Sequence, residues 1–170
     1  MAVVTYALKE VVKASSLLLP ATLGEIYAER SGVINLSIEG MMLVSAVVAF
    51  MVAHNTGNPW LGLLAALAAG VAMSAIHALA SISFQANQII SGLALCILGA
   101  GLSSVMGKPY VGIRRAFKPI GPLPIPFLSD IPLVGPAFFN QSPLVYTAFL
   151  ATGLCWFCLL YTSPSPRDRG

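Results

Sequence analysis

Charge is what this sequence has least of. Only 9% of its 170 residues are Asp, Glu, Lys or Arg, against 57% hydrophobic residues and a mean hydropathy of +0.84. A soluble domain carries about 25% charged residues. A chain this poor in charge cannot cover a globular surface with polar groups, so lipid is the solvent that suits much of it. The basic residues form no dense cluster and the net charge is only +3, which argues against a nucleic-acid partner. Cysteine is also sparse. Cys96, Cys155 and Cys158 each lie inside an apolar run and read as small apolar residues of membrane helices rather than metal ligands. A phosphate-cradling GxxxxGK[ST] loop is absent. No nucleophile–base pair stands out either. Catalytic residues, a metal and a bound cofactor are therefore not expected of this chain.

What is present is a series of apolar runs. A membrane-spanning helix needs roughly 20 such residues. Five candidates fall at about Val11–Ala28, Ile38–Ala53, Trp60–Ile82, Gln88–Met106 and Pro143–Leu160. The expected fold is all-α, a polytopic transmembrane helix bundle with about five hydrophobic segments. Small residues recur on the third and fourth segments: Gly62, Ala65, Ala69 and Ala72 on one, Gly92, Gly99 and Ser103 on the other. They let helices approach closely, which argues for a bundle rather than a single anchor. His77 sits near the end of the third span, where a satisfied histidine at the interface is expected.

Two places bring polar groups to span ends. Between the first two spans lies GEIYAERSGVINLSIEGMM, with Glu29, Arg30, Asn35, Ser37 and Glu39. It reads either as a tight cytosolic loop or as a broken-helix element beside a cavity, where irregular backbone is tolerated at membrane depth. Asn35, Ser37 and Glu39 open the second span, and Asn87, Gln88 and Ser91 open the fourth. These are the candidate solute-path residues, since their donors and acceptors suit sugar hydroxyls and base edges. The alternative is that they hydrogen-bond neighbouring helices and hold the bundle together. Glu39 is the most telling, because a carboxylate there must find a partner, such as Arg30, or be protonated.

The connection from Gly107 to Ser142 is long, Pro-rich and apolar, and it carries Lys108, Arg114, Arg115 and Lys118. Regular prolines prevent a straight helix, so short interfacial helices or extended segments are expected in this extramembrane loop. It would cap a translocation path, present a docking surface, or passively cover helix ends.

GEIYAERSGVINLSIEGMMLVSA (Gly24–Ala46) resembles the signature of ABC-importer permeases of the nucleoside and simple-sugar uptake group, and NQIISGLAL (Asn87–Leu95) resembles their next recurrent element. IPLVGPAFFNQSPLVY (Ile131–Tyr146) matches in position and style. Branched-chain amino-acid permeases share a looser form, and Ala28–Gly32 favours the nucleoside-type branch. The resemblance implies a multi-pass permease in the bacterial or archaeal plasma (inner) membrane that does no chemistry itself. It implies as partners a second permease subunit, ABC ATPase subunits that hydrolyse ATP, and an extracytoplasmic solute-binding lipoprotein or protein. It also places the Pro-rich loop outside, against the positive-inside rule.

CLLYTSPSPRD (Cys158–Asp168) looks instead like one translated frame of a transposon adapter used to prepare sequencing libraries. The expectation is a partial permease domain over 1–157, an N-terminal fragment that lacks the ATPase-coupling loop, with a non-native tail over 158–170. Rival readings are an ion-coupled secondary transporter, with Glu39 as its coupling acid, and a purely structural membrane subunit. Within the favoured class the solutes in order are nucleosides, sugars and branched-chain amino acids.

Overall fold

Where about 20 apolar residues run together the chain is helical, because in hydrocarbon a helix satisfies its own backbone groups. The computed structural model describes residues 2–114, 117–127, 129 and 134–161. Its helices are α1 (Ala2–Arg30), α2 (Ile38–Thr56), α3 (Pro59–Ala78), α4 (Gln88–Gly107), α5 (Val134–Phe138) and α6 (Pro143–Tyr161). α3 runs on into a π-type turn over Leu79–Ser83, and α4 into a 3-10 turn over Lys108–Tyr110. Two short strands, β1 (Leu123–Pro124) and β2 (Asn140–Gln141), pair antiparallel with Leu123 opposite Gln141. The fold is thus the expected helix bundle. The Pro-rich connection holds α5 and the strand pair, in keeping with short helices and extended segments. Arg115 of that connection lies outside the described residues, as do 162–170 of the expected tail.

Four of the expected spans are long and apolar enough to cross a membrane: α2, α3 with its π turn, α4 with its 3-10 turn, and α6. The first is corrected. α1 is a helix longer than Val11–Ala28, but it is not among those four. Lys9, Glu10, Lys13, Glu25, Glu29 and Arg30 punctuate it. Pro20 inside it removes one backbone hydrogen bond.

Helix ends follow local chemistry. Gly57 closes α2 at φ 70°, a left-handed conformation that glycine adopts without steric penalty. The Asn58 side chain then accepts from Trp60 N at 2.9 Å, and Pro59 takes the first helical position, where no N–H is needed. Asn87 caps α4 in the same way, accepting from Ile89 N at 3.0 Å and Ile90 N at 3.2 Å.

The described chain divides into two units. One comprises residues up to Gly24 and from Ile120 on. There Tyr146 Oη accepts from Gln141 N at 3.1 Å and donates to Leu123 O at 3.2 Å, tying the strand pair to α6. The other unit, Glu25–Pro119, centres on Val44, Met73 and Leu95, with Met41, Val48 and Ala69 packed around them. Here α2 and α4 run in the same direction and nearly touch. A Cβ on Gly99 would lie 2.6 Å from the Gly40 backbone, and one on Gly92 would lie 2.8 Å from Leu36 N. The outward residues are large and apolar: Leu64, Leu67, Val71, Ile97 and Val105 are each 60–74% exposed. Lipid or further protein is the natural neighbour for such a surface.

Candidate solute path at the crossing of residues 31–37

α1 ends at Arg30 because Gly32 takes a φ of 81°, and Val33 N then turns back to donate to Ala28 O at 3.0 Å. This is a glycine-based helix stop. The chain crosses to Ser37 without regular structure, and its peptide groups need partners. Side chains from three helices supply them. Ile34 N donates to Gln88 Oε1 at 2.8 Å, and Gln88 Nε2 donates back to Gly32 O at 3.3 Å. Asn35 N donates to Glu25 Oε1 at 3.0 Å. Ile34 O lies 3.2 Å from His77 Nε2.

A carbonyl oxygen only accepts, so His77 Nε2 carries the hydrogen. In the neutral ring Nδ1 is then an acceptor, and Ser91 Oγ, 3.3 Å away, is its donor. Ser81 Oγ stands 3.4 Å from Nε2. His77 is only 3% exposed, so these partners hold a polar ring that has almost no access to water. The ring is thus satisfied by hydrogen bonds, as expected.

The two candidate sets meet at this one place. Gln88 and Ser91 of the fourth-span set engage the 31–37 segment directly and through His77. Asn87 sits one residue before Gln88 as the α4 cap. Asn35 Oδ1 accepts from Ser37 N at 3.0 Å and also from Ser37 Oγ, a local turn that presents the start of α2. Ser37 is fully buried. Glu39 differs: it is exposed in the first turn of α2, where the positive end of the helix dipole favours a carboxylate.

Sequence reasoning missed Glu25. Its Oε1 holds Asn35 N, while its Oε2 is buried without a hydrogen-bond partner among the described residues. Its place in the second position of the Gly24–Ala46 motif was the available signal. Among the described residues no group of three or more His, Cys, Asp or Glu side chains could hold a metal ion.

Four helices long and apolar enough to cross a membrane define a multi-pass membrane protein, and irregular backbone beside such helices is tolerated where protein or a cavity shields it. Residues 7–163 match the family described as the permease component of branched-chain amino acid transport systems, and the chain belongs to that family. It is 44% identical over 154 residues to a protein of Haloferax volcanii provisionally named a glucose ABC transporter permease, covering 89% of this chain and 47% of that one. It is 38% identical over 183 residues to the guanosine ABC transporter permease of Bacillus subtilis, covering 94% and 57%. It is 29% identical over 164 residues to a nucleoside ABC transporter permease of Lactococcus lactis, covering 91% and 52%. The chain spans about half the length of these relatives. The resemblance to nucleoside and simple-sugar permeases therefore holds. No solved structure matches the chain significantly.

Proposed function

We propose that this chain is part of the permease subunit of an ATP-driven importer that carries nucleosides or related sugar-containing solutes across a bacterial or archaeal plasma membrane. The observation that carries this is the 31–37 crossing. An irregular segment lies against the ends of apolar spans, and Glu25, His77 and Gln88 pair its backbone groups. Such segments persist at membrane depth where they are buried in protein or line a cavity, and this reading makes the crossing part of the wall of the solute path. The guanosine, nucleoside and glucose permeases among its relatives support the solute class, and the 44% identity to the glucose permease keeps free sugars beside nucleosides.

In this reading ATP is hydrolysed on separate ABC ATPase chains, and this chain holds no cofactor of its own. A second permease subunit completes the path, and an extracytoplasmic solute-binding protein delivers the solute to the side that carries the Pro-rich connection. Asn35, Ser37, Asn87, Gln88 and Ser91 shape the wall of the path, and exposed Glu39 stands open to solute at its rim. Glu25 Oε2 adds a buried acceptor that no described residue engages.

The test is uptake of labelled guanosine, glucose and leucine by the intact transporter in proteoliposomes, with its ATPase and receptor partners. ATP-dependent uptake of guanosine or glucose, with leucine neither carried nor competing, is expected. Uptake driven by an ion gradient without ATP would overturn the reading in favour of a secondary transporter. A cysteine at Lys118, in a background free of other cysteines, should react with an impermeant reagent in intact cells. Absence of labelling would reverse the orientation.

A further inference from the structure

A second polar centre lies in the unit that joins the first residues of the chain to those from Ile120 on. It shares no residue with the 31–37 crossing. A cavity of about 290 Å³ is lined there by Lys9, Glu10 and Lys13 of α1, by Ile120 and Pro122, and by Asn140, Gln141 and Ser142. Residues three and four apart are neighbours on a helix surface, so positions 9, 10 and 13 converge on one side of one turn. Glu10 and Lys13 pair at 3.6 Å.

The facing wall is fixed by Gln141, which is 2% exposed. Both hydrogens of its amide are engaged, by Lys9 O at 3.1 Å and Ala137 O at 2.7 Å. Its backbone N–H is held by Tyr146 Oη. These bonds fasten the strand pair to α1 and leave the amide oxygen Oε1 as an acceptor. The Gln141 wall is therefore in place before any ligand arrives, which reduces the ordering cost on that side.

Its lining mixes donors and acceptors. The Lys9 and Lys13 ammonium groups donate, the Glu10 carboxylate and Gln141 Oε1 accept, and Asn140 and Ser142 do both. A phosphate offers acceptors alone and would be opposed by Glu10. A wholly apolar side chain would suit Ile120 and Pro122 but leave the polar groups of the lining unpaired, whereas a sugar ring has C–H faces for the one and hydroxyls for the other. A ring of adjacent hydroxyls, each both donor and acceptor, matches the mixture. The nearby cavity lined by Ile125, Phe138, Phe139, Tyr146 and Phe149 offers no such set.

We infer that the Lys9–Glu10–Lys13 and Asn140–Ser142 cavity is a subsite for the sugar ring of the transported solute. This rests on the reading of the chain as part of a permease for sugar-containing solutes. The subsite is a second station for the solute, with residues of its own.

The experiment compares wild type, Asn140→Ala and Glu10→Gln in the intact transporter. It measures concentration dependence of ATP-driven uptake of guanosine and of 2′,3′-dideoxyguanosine, normalised to the amount of assembled protein. Each variant should raise KM for guanosine by up to about tenfold at unchanged Vmax, as expected when a hydrogen bond made equally in bound and transition states is lost. The KM ratio of the dideoxy compound to guanosine should fall towards one, a change that a merely structural role would not produce. Unchanged KM and an unchanged ratio in both variants, with wild type carrying guanosine, would overturn the subsite alone. A wild-type transporter that carries leucine and neither guanosine nor glucose would overturn the solute class on which it rests.

Discussion

The Glu25–Pro119 unit has two unlike ends. At the N-terminal ends of α2 and α4, irregular backbone is held by directional bonds from Glu25, His77 and Gln88, and glycines bring the helices together. At their C-terminal ends the contacts are ring on ring. Phe50 stacks on His54 at 5.8 Å and meets Tyr110 and Phe117 edge-on at 5.8 and 6.0 Å. Asn55 Nδ2 also donates to the Tyr110 hydroxyl at 3.3 Å. The first end specifies one arrangement, because each bond has one donor and one acceptor at a set distance. The second end tolerates exchange, because ring contacts are individually weak and loosely directional. A segment that must hold an irregular path needs the first kind of support.

The largest effect is expected where the helices nearly touch. Gly99→Ala puts a Cβ 2.6 Å from the Gly40 backbone, which has no flexible end to yield. Overpacking of this kind costs about 1–3 kcal/mol or more. Gly101→Ala, two residues along the same helix, meets nothing within 4 Å and should gain up to about 1 kcal/mol from helix propensity. Thermal unfolding of the purified protein in detergent would separate the pair. Equal behaviour of the two variants would mean that α2 and α4 are not packed at Gly40.

Next in size is His77. His77→Phe keeps a ring but leaves the Ile34 carbonyl and the Ser91 hydroxyl without this partner. An unsatisfied buried group costs about 1–3 kcal/mol. His77→Gln retains an N–H donor able to reach the carbonyl and should recover part of the loss. The measurement is again the unfolding midpoint, and a His77→Gln variant no better than His77→Phe would count against the bond.

Gln88→Ala should act mainly on transport. It removes both bonds that hold residues 32–34 to α4. Each contributes about 0.5–1.5 kcal/mol. Uptake by the intact transporter should fall several-fold while the amount of assembled protein stays near that of wild type. Unchanged uptake would remove Gln88 from the path.

These contrasts also explain what could be read from sequence. The starts of α2, α4 and α6 at Ile38, Gln88 and Pro143 were legible, because polar residues give way abruptly to apolar runs there. The full length of α1 was not. Residues 2–13 mix Val, Tyr and Leu with Lys9, Glu10 and Lys13, and a search for uninterrupted apolar runs passes over such a stretch. The strand pair joins Leu123 to Gln141 through two-residue strands, too short for alternation to register. At the crossing, both candidate sets were visible as polar residues at span ends. Their meeting was not, since it depends on glycines setting how closely α2 and α4 approach. Glu25 was hidden for a related reason: its role comes from Asn35, ten residues on, after the chain has reversed at Gly32.

The smallest effect, opposite in sign, is expected at the aromatic end. Among the described residues His54 Nδ1 is buried without a hydrogen-bond partner, although the ring stacks on Phe50 and meets Tyr110 edge-on at 5.5 Å. A buried polar atom left unpaired is a liability of about 1–3 kcal/mol, and replacing it by an apolar group of similar shape is neutral or stabilising. His54→Phe should therefore leave the unfolding midpoint unchanged or raise it slightly, while His77→Phe lowers it. The substitution is the same, and so is the helical setting near the end of an apolar span. The partners of the ring differ, and His77 is buried where His54 is half-buried. If His54→Phe destabilised the protein as much as His77→Phe, His54 would have to hold a polar partner of its own, and the contrast between the two ends would fail.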